Sequence, residues 1–183
     1  MENRYGNDVK YKSIRDDYKT PKEIYNSILA VLSRDKFDID VACTDKNIPA
    51  KDHYTKTIDG LKQEWSGFCF CNPPWKKTRQ FMKKAVESKN AMTAFVISSS
   101  KFETKYMQEY VLNNNNACFC ILPLKQGFII PGEEDIPPVP SVPVAIVFIC
   151  PDEKMAEQVK LISNGKNLFK TTMFRGGGKS VSV

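Results

Sequence analysis

The strongest constraint on this chain is a short apolar run that ends at two consecutive prolines. Residues 68–71 are Phe, Cys, Phe and Cys, which predicts a buried strand, and Asn72, Pro73, Pro74 and Trp75 follow directly. Each proline fixes φ and lacks an amide donor, so the strand is predicted to end in a stiff turn. Open α/β sheets bind their ligands at the carboxyl edge of the strands. The sequence therefore predicts an α/β fold whose ligand site includes residues 72–75.

The predicted turn combines three groups that suit a planar ring carrying an amino group. The carboxamide oxygen of Asn72 and the carbonyl of Pro73 can each accept a hydrogen bond from an amino N–H. The indole of Trp75 offers an aromatic face for stacking, although a tryptophan can also serve as a core residue. Adenine is a ring of the required kind.

The rest of the chain alternates predicted helices and strands, as in an α/β fold. Thr20, Pro21 and Glu23 form a capping-box pattern with proline at the first helical position, which predicts the start of a helix. Further strands are predicted at residues 37–41, 91–98 and 117–122, and further helices at residues 76–86, 101–112 and 152–162. Residues 44–63 are predicted to be a long polar connection, and a loop of this length is usually either functional or disordered.

The pattern changes after residue 127. Residues 128–130 and 144–150 are apolar, and the segment between them, 131–143, contains five prolines. This predicts an antiparallel hairpin at a sheet edge with a long tip. The tip is either a rigid spacer or a recognition loop.

Length and composition predict one globular domain. The chain has 183 residues, of which 42% are hydrophobic, and this is enough to bury one substantial core. We expect a mobile N-terminal arm at residues 1–15, a single domain at residues 16–163 and a flexible basic tail at residues 164–183. The formal net charge of +6 permits a polyanionic partner without requiring one.

The cysteines indicate a reducing compartment. All six lie outside any Cys-x-x-Cys motif and no secretory signal is evident, so a cytoplasmic protein with free thiols is predicted. The pairs Cys69/Cys71 and Cys118/Cys120 would suit zinc only if their strands were neighbours, and buried thiols are the favoured interpretation. We therefore predict no metal site. No apolar stretch reaches the about 20 residues of a membrane span, so no membrane contact is expected.

Several motifs together resemble one family. Asn72-Pro73-Pro74-Trp75 resembles the Asp/Asn/Ser-Pro-Pro-aromatic signature of amino-group methyltransferases that use S-adenosylmethionine. The order and spacing of the motifs resemble compact DNA N6-adenine methyltransferases of phages and prophages over roughly residues 16–150. The other matching motifs are Thr20-Pro21, the run Phe-Asp-Ile-Asp-Val-Ala-Cys at residues 37–43, and Asp59-Gly60-Leu61 with Trp65. Trp75 stands where phage-type enzymes usually carry tyrosine.

The resemblance implies a Rossmann-like S-adenosylmethionine-dependent methyltransferase fold, with an open, mostly parallel sheet and a terminal antiparallel hairpin. It implies methyl transfer to the N6 amino group of a flipped adenine in double-stranded DNA, by a phage- or virus-encoded enzyme in the host cell. Asn72, Pro73, Pro74 and Trp75 would be the catalytic residues, without a metal. The alternatives are an RNA N6-adenine or protein glutamine methyltransferase with the same turn, and a non-catalytic nucleic-acid-binding relative. The sequence does not indicate an oligomeric state.

The resemblance also implies where the cofactor binds. An acidic residue at a strand end can accept hydrogen bonds from an ammonium group, and a small residue after it lets a ligand approach the backbone. Asp40 and Ala42 fit this description, whereas Asp38, on the same strand face, is either a second ligand or an exposed carboxylate. The cofactor-binding candidates are Thr20, Pro21, Asp38, Asp40, Ala42, Asn47 and Asp59. The glycine-rich cofactor motif of larger methyltransferases is absent.

Basic residues follow the predicted turn directly. Lys76, Lys77 and Arg79 are predicted to contact DNA phosphates, the alternative being a solvated helix face. His53, the only histidine, lies in a polar segment, and a structural or substrate-adjacent role is preferred to catalysis.

Overall fold

A computed structural model describes residues 18–44, 46–123, 127–129 and 143–177. The predicted N-terminal arm and nearly all of the proline-rich tip lie outside these residues. Within them the chain forms a mixed α/β fold with a seven-stranded sheet in the order β2-β1-β3-β4-β6-β5-β7. The strands are β1 (Phe37–Asp40), β2 (Ala50–His53), β3 (Gly67–Cys71), β4 (Ala91–Ser98), β5 (Ala117–Ile121), β6 (Val144–Ile149) and β7 (Phe174–Arg175).

Most strands of the sheet share one direction. Strand β1 is parallel to β2 and β3, and β3 is parallel to β4. Strand β6 is antiparallel to both β4 and β5, so β5 runs in the same direction as β1–β4. Strand β7 is antiparallel to β5. The carboxyl ends of β1–β5 therefore lie along one edge of the sheet.

Helices cover both faces of the sheet. The helices are α1 (Lys22–Val31), α2 (Thr78–Glu87), α3 (Lys105–Met107, continued by a π-helical turn at Gln108–Leu112) and α4 (Glu153–Gly165). Ile28 of α1 and Val159 of α4 pack with Phe37 and Phe68 on one face. Residues of α2 and α3 pack on the other face with Cys69 and Phe95. No helix among the described residues has the length and apolar character needed to cross a membrane.

The hairpin prediction is wrong in its pairing. Strand β6 is an internal strand between β4 and β5, and all six of its residues are buried. A continuously apolar strand of this kind is typical of a position covered on both faces. The predicted partner segment, residues 128–130, contributes only a bridge between Ile129 and Lys19 among its described residues.

Two further differences concern local structure. The predicted polar connection 44–63 contains β2, an edge strand whose sequence, Ala-Lys-Asp-His, has no apolar alternation. The predicted capping box is not formed: α1 begins at Lys22, Pro21 occupies the N-cap position, and no side chain caps the helix. The hydroxyl of Thr20 instead accepts a hydrogen bond from Asn72.

The segment predicted to be a flexible tail packs against the domain as far as residue 177. Phe169 and Met173 are buried in the core, and Phe174 pairs with Phe119 of β5. Gly176 lies so close to the backbone carbonyl of Val111 that a Cβ atom would overlap it. Gly176 therefore allows close backbone contact, and within this segment residues 178–183 lie outside the described structure.

Candidate active site

The turn at residues 72–75 lies at the carboxyl edge of the sheet. Strand β3 ends at Cys71, Pro73 is buried, and a single 3-10 turn at Trp75–Lys77 leads into α2. Because β1, β3 and β4 are parallel, their ends bring Asp40, Asn72 and Ser98 to the same edge. The sequence-predicted catalytic turn and the main cofactor candidate are thus neighbours in space.

The carboxamide of Asn72 is oriented by its hydrogen bonds. Its Nδ2 donates to the carbonyl of Tyr18 at 3.0 Å and to the hydroxyl of Thr20 at 3.2 Å. A carbonyl can only accept, so the nitrogen end must face Tyr18 and the oxygen end must face away. No donor to Oδ1 is found among the described residues. Asn72 therefore keeps one acceptor available.

A cavity beside the turn, which we call the aromatic pocket, encloses about 490 Å³ including its open mouth. Asn72 and Pro73 form part of its wall, and Trp75, which is 36% exposed, contributes an aromatic face. The full lining is Tyr18, Asn72, Pro73, Trp75, Thr78, Val96, Ile97, Ser98, Lys101 and Phe128.

Sequence reasoning missed several residues of the aromatic pocket. Tyr18 and Phe128 stack with ring centroids 6.4 Å apart and an interplanar angle of 23°. They are 110 positions apart in the chain and are joined by the two backbone hydrogen bonds between Lys19 and Ile129. Lys101 follows β4 and adds a positive charge to the pocket lining. The only feature of the sequence that indicated Lys101 was its position shortly after a predicted strand.

A second cavity, the polar pocket, borders the aromatic pocket at Asn72. It encloses about 340 Å³. Of the predicted cofactor-binding residues, four meet here: Thr20, Asp40, Ala42 and Asn47. Asp40 is only 3% exposed, and its carboxylate accepts a hydrogen bond from the Ala42 amide at 3.3 Å. Asn72 separates an apolar cavity from a polar one.

A third cavity, the loop pocket, continues from the polar pocket past Ala42 and encloses about 550 Å³. Asp59 lines it, with a left-handed backbone at φ 54°, and its carboxylate accepts from the Leu61 amide at 3.4 Å. Trp65 donates to the Gly60 carbonyl at 2.8 Å. A Cβ at Gly60 would overlap the Val41 carbonyl, so the Asp-Gly-Leu motif builds this wall through close backbone packing.

Two predicted cofactor residues line none of these three pockets. Pro21 is the N-cap residue of α1. Asp38 lies near the beginning of β3 and accepts from Arg34 at 2.8 Å, Lys51 at 2.7 Å and the Phe68 amide at 2.8 Å. Burial alone would raise the pKa of Asp38, but these hydrogen bonds outweigh it and lower the pKa to about 2. Asp38 therefore has a structural role in this fold.

The single histidine has a structural partner. His53 ends β2, and its Nε2 lies 3.0 Å from the Ile48 carbonyl. Because that carbonyl can only accept, Nε2 must carry a proton. His53 lines none of the three pockets. This geometry supports a structural role for His53, which is one of the non-catalytic alternatives that the sequence left open.

The paired cysteines do not form a common site. Cys69 and Cys71 lie on β3, Cys118 and Cys120 lie on β5, and β4 and β6 separate these strands. All six cysteines are buried, and none of them forms a disulfide bond. Burial raises the pKa of the Cys69 thiol to about 12, as it does for Cys120. The described residues contain no group of three or more His, Cys, Asp or Glu side chains suited to a metal.

The basic residues after the turn are accessible. Lys76, Lys77 and Arg79 are exposed, and Lys77 also lines the loop pocket. The opposite side of α2 is buried through Phe81 and Met82. The structure thus presents a positively charged surface next to the turn at residues 72–75.

Comparison with known families identifies the family of the chain. The model of the DNA N-6-adenine-methyltransferase (Dam) family matches residues 8–165, which is most of the chain. The chain therefore belongs to the Dam family of DNA N6-adenine methyltransferases, and it transfers a methyl group to the N6 amino group of adenine in DNA. The match favours DNA over the RNA and protein glutamine alternatives. No curated protein matches the sequence.

Proposed function

We propose that S-adenosylmethionine is the methyl donor and that the target adenine is flipped out of double-stranded DNA into the aromatic pocket. The observation that carries this proposal is the position of Asn72. It borders both the aromatic and the polar pocket, and its Oδ1 has no donor among the described residues. A base in the aromatic pocket and the methyl donor in the polar pocket would meet at this carboxamide.

The sheet supports a Rossmann-like methyltransferase fold. Strands β1–β5 share one direction, and the antiparallel strands β6 and β7 lie toward one side of the sheet. Ligand sites in open sheets of this kind lie beyond the carboxyl ends of the strands. All three pockets include residues at or just after such ends, namely Asp40, Asn72 and Ser98 in the aromatic and polar pockets and Val41 in the loop pocket.

The polar and loop pockets fit S-adenosylmethionine. The carboxylate of Asp40 suits an ammonium group, and Asn47 provides a further polar side chain nearby. Asp59, in the adjoining loop pocket, suits hydroxyl or amino hydrogens of a nucleoside. When bound, S-adenosylmethionine supplies a methyl group activated by a positively charged sulfur. Thr20, Asp40, Ala42, Asn47 and Asp59 are the residues that we propose hold it.

The catalytic turn would orient the amino group of adenine. Oδ1 of Asn72 and the carbonyl of Pro73 accept its two hydrogens, which directs the nitrogen lone pair away from both acceptors. The face of Trp75 fixes the plane of the ring, and Pro74 keeps the turn stiff. Positioning and preorganised acceptors account for the rate enhancement, and the methylated amine loses its proton to water.

The aromatic pocket explains why the base must leave the helix. An amino group that is stacked inside a duplex cannot enter a cavity behind Trp75, so the nucleotide is extruded first. Lys76, Lys77 and Arg79 then lie beside the entry and contact the phosphates on either side of the flipped nucleotide.

Transfer of a labelled methyl group tests the proposed function. The purified chain is incubated with tritiated S-adenosylmethionine and unmodified double-stranded DNA, with RNA and protein in parallel reactions. Nucleoside analysis should recover the label in N6-methyldeoxyadenosine from DNA. Label confined to RNA or protein would contradict the proposed substrate, and calorimetry without S-adenosylmethionine binding would contradict the proposed donor.

A further inference from the structure

The segment at residues 18–20, which we call the N-terminal strap, crosses the candidate site. Lys19 donates its amide to the Ile129 carbonyl at 3.0 Å and accepts from the Ile129 amide at 3.1 Å. On either side of Lys19, the Tyr18 carbonyl and the Thr20 hydroxyl accept from Nδ2 of Asn72. The strap therefore connects the catalytic carboxamide to the segment that carries Phe128.

The orientation of a carboxamide decides whether it helps or opposes an amino substrate. The oxygen end of Asn72 accepts a hydrogen bond from an amino group, whereas the nitrogen end would set donor against donor. The two ends have nearly the same shape, so packing alone discriminates poorly between them. The partners of Nδ2 must provide the discrimination.

Thr20 is well placed to discriminate between the two orientations of the Asn72 carboxamide. The residue is 3% exposed, so water does not readily replace its hydroxyl as a partner of Nδ2. Its hydroxyl is also not needed for helix capping, because no side chain caps α1. The Tyr18 carbonyl determines which end of the Asn72 carboxamide faces it, because a carbonyl accepts hydrogen bonds and never donates them.

We propose that Thr20, together with the Tyr18 carbonyl, is a positioning residue that holds Asn72 with Oδ1 toward the aromatic pocket. The proposal rests on the proposed catalytic role of Asn72. It gives Thr20 a task separate from cofactor binding, and it makes the strap part of the catalytic arrangement.

The test compares Thr20→Val with Thr20→Ser. Valine has the shape of threonine but cannot bond to Nδ2, whereas serine keeps the hydroxyl. At saturating DNA and S-adenosylmethionine, the single-turnover rate of Thr20→Val should fall about five- to tenfold, the equivalent of one hydrogen bond. Thr20→Ser should restore most of the rate, and calorimetry on each variant gives the S-adenosylmethionine concentration needed for saturation. Thr93→Val, a buried change of the same type on β4, is the control and should leave the rate unchanged.

A double variant decides whether Thr20 acts through Asn72. In the Asn72→Ala background there is no carboxamide to orient, so adding Thr20→Val should cause no further loss of rate. A wild-type rate for Thr20→Val at saturation, or an equal loss in both backgrounds, would overturn the proposal. If Asn72→Ala itself keeps the wild-type rate, the proposed catalytic role of Asn72 fails, which is a distinct outcome. Thermal melts of all variants confirm that they are folded.

Discussion

At the scale of single residues, the two ends of the Asn72 carboxamide have different surroundings. Nδ2 ties the turn to the N-terminal strap, while no donor to Oδ1 is found among the described residues. Asn72 lies beyond the end of β3 and is only partly buried, so its side chain contributes little to the core. Function and stability should therefore separate at this position.

Asn72→Ala should slow methyl transfer strongly without unfolding the protein. Removal of one preorganised acceptor typically costs about 10²–10³ in rate. We expect this loss in single-turnover transfer at saturating cofactor, with a melting temperature close to that of the wild-type protein. Asn72→Asp should retain more activity because it keeps an acceptor, but less than wild type because a carboxylate oxygen would face the Tyr18 carbonyl. Wild-type transfer by Asn72→Ala would remove the turn from the catalytic mechanism.

The sequence predicted the turn at residues 72–75 because the residues that define it are contiguous. Asn72 and Trp75 belong to one tetrapeptide, and the two prolines between them predict a turn. The opposite wall could not be predicted in the same way, since Tyr18 and Phe128 meet only through the pairing of Lys19 with Ile129. Asp38 illustrates a further limit: strand alternation makes it equivalent to Asp40, and only the surrounding cations distinguish them.

At the scale of elements, β1 holds two carboxylates with different roles. Asp40, at its carboxyl end, lines the polar pocket. Asp38, two residues earlier, connects β1 to the β3 backbone through Phe68 and to β2 through Lys51. The first position serves the candidate site, and the second fastens three neighbouring strands together.

Asp38 should make stability depend on acid pH. Its pKa is about 2 in the folded protein, below its ordinary value of 3.8, so the ionised form stabilises the fold. This contribution is fully present above about pH 4 to 5 and is lost as the pH falls toward 2. Chemical unfolding of the wild-type protein should therefore show a steeper loss of stability over this window than unfolding of Asp38→Asn. Parallel curves for the two proteins would contradict this role.

The beginning of α2 gives a test of DNA binding. If Lys76, Lys77 and Arg79 neutralise phosphates, changing them to Gln should make the salt dependence of DNA binding shallower. On logarithmic axes the slope should fall by about 0.9 for each phosphate that is no longer neutralised. The control is Lys36→Gln with Lys89→Gln, which removes two positive charges at the opposite edge of the sheet, where these exposed lysines precede β1 and β4. An unchanged slope for the first set would mean that this surface is only solvated.

Strands with an apolar run or an apolar alternation were the ones that the sequence predicted well. Strands β3, β4 and β5 lie where their runs predicted them, and β1 lies where its alternation of Phe37 and Ile39 with aspartates predicted it. Strand β2 was missed because an edge strand with Lys51 and Asp52 carries no apolar pattern. The position of β6 inside the sheet was also missed, because strand order depends on pairings between distant segments rather than on local sequence.

At the scale of the whole molecule, the two described ends of the chain complete different parts of the structure. The N-terminal strap completes the candidate site by contacting Asn72. The C-terminal segment completes the sheet through β7 and the core through Phe169 and Met173. Both segments look polar or irregular in sequence, so their importance follows from where the fold places them.

The stability of the whole domain should therefore depend on its C-terminal segment. Met173 is 1% exposed and packs in the core beside β5 and β6, so Met173→Ala should lower the free energy of unfolding by about 2–5 kcal/mol. Thr172→Ala, at the exposed neighbouring position, is the control and should have little effect. Urea unfolding of both variants measures the difference, and methyl transfer at low temperature should persist in Met173→Ala because no pocket residue is altered. If residues 164–183 were a flexible tail, both variants would be as stable as the wild-type protein. Equal urea midpoints for all three proteins would therefore support the flexible tail that the sequence predicted.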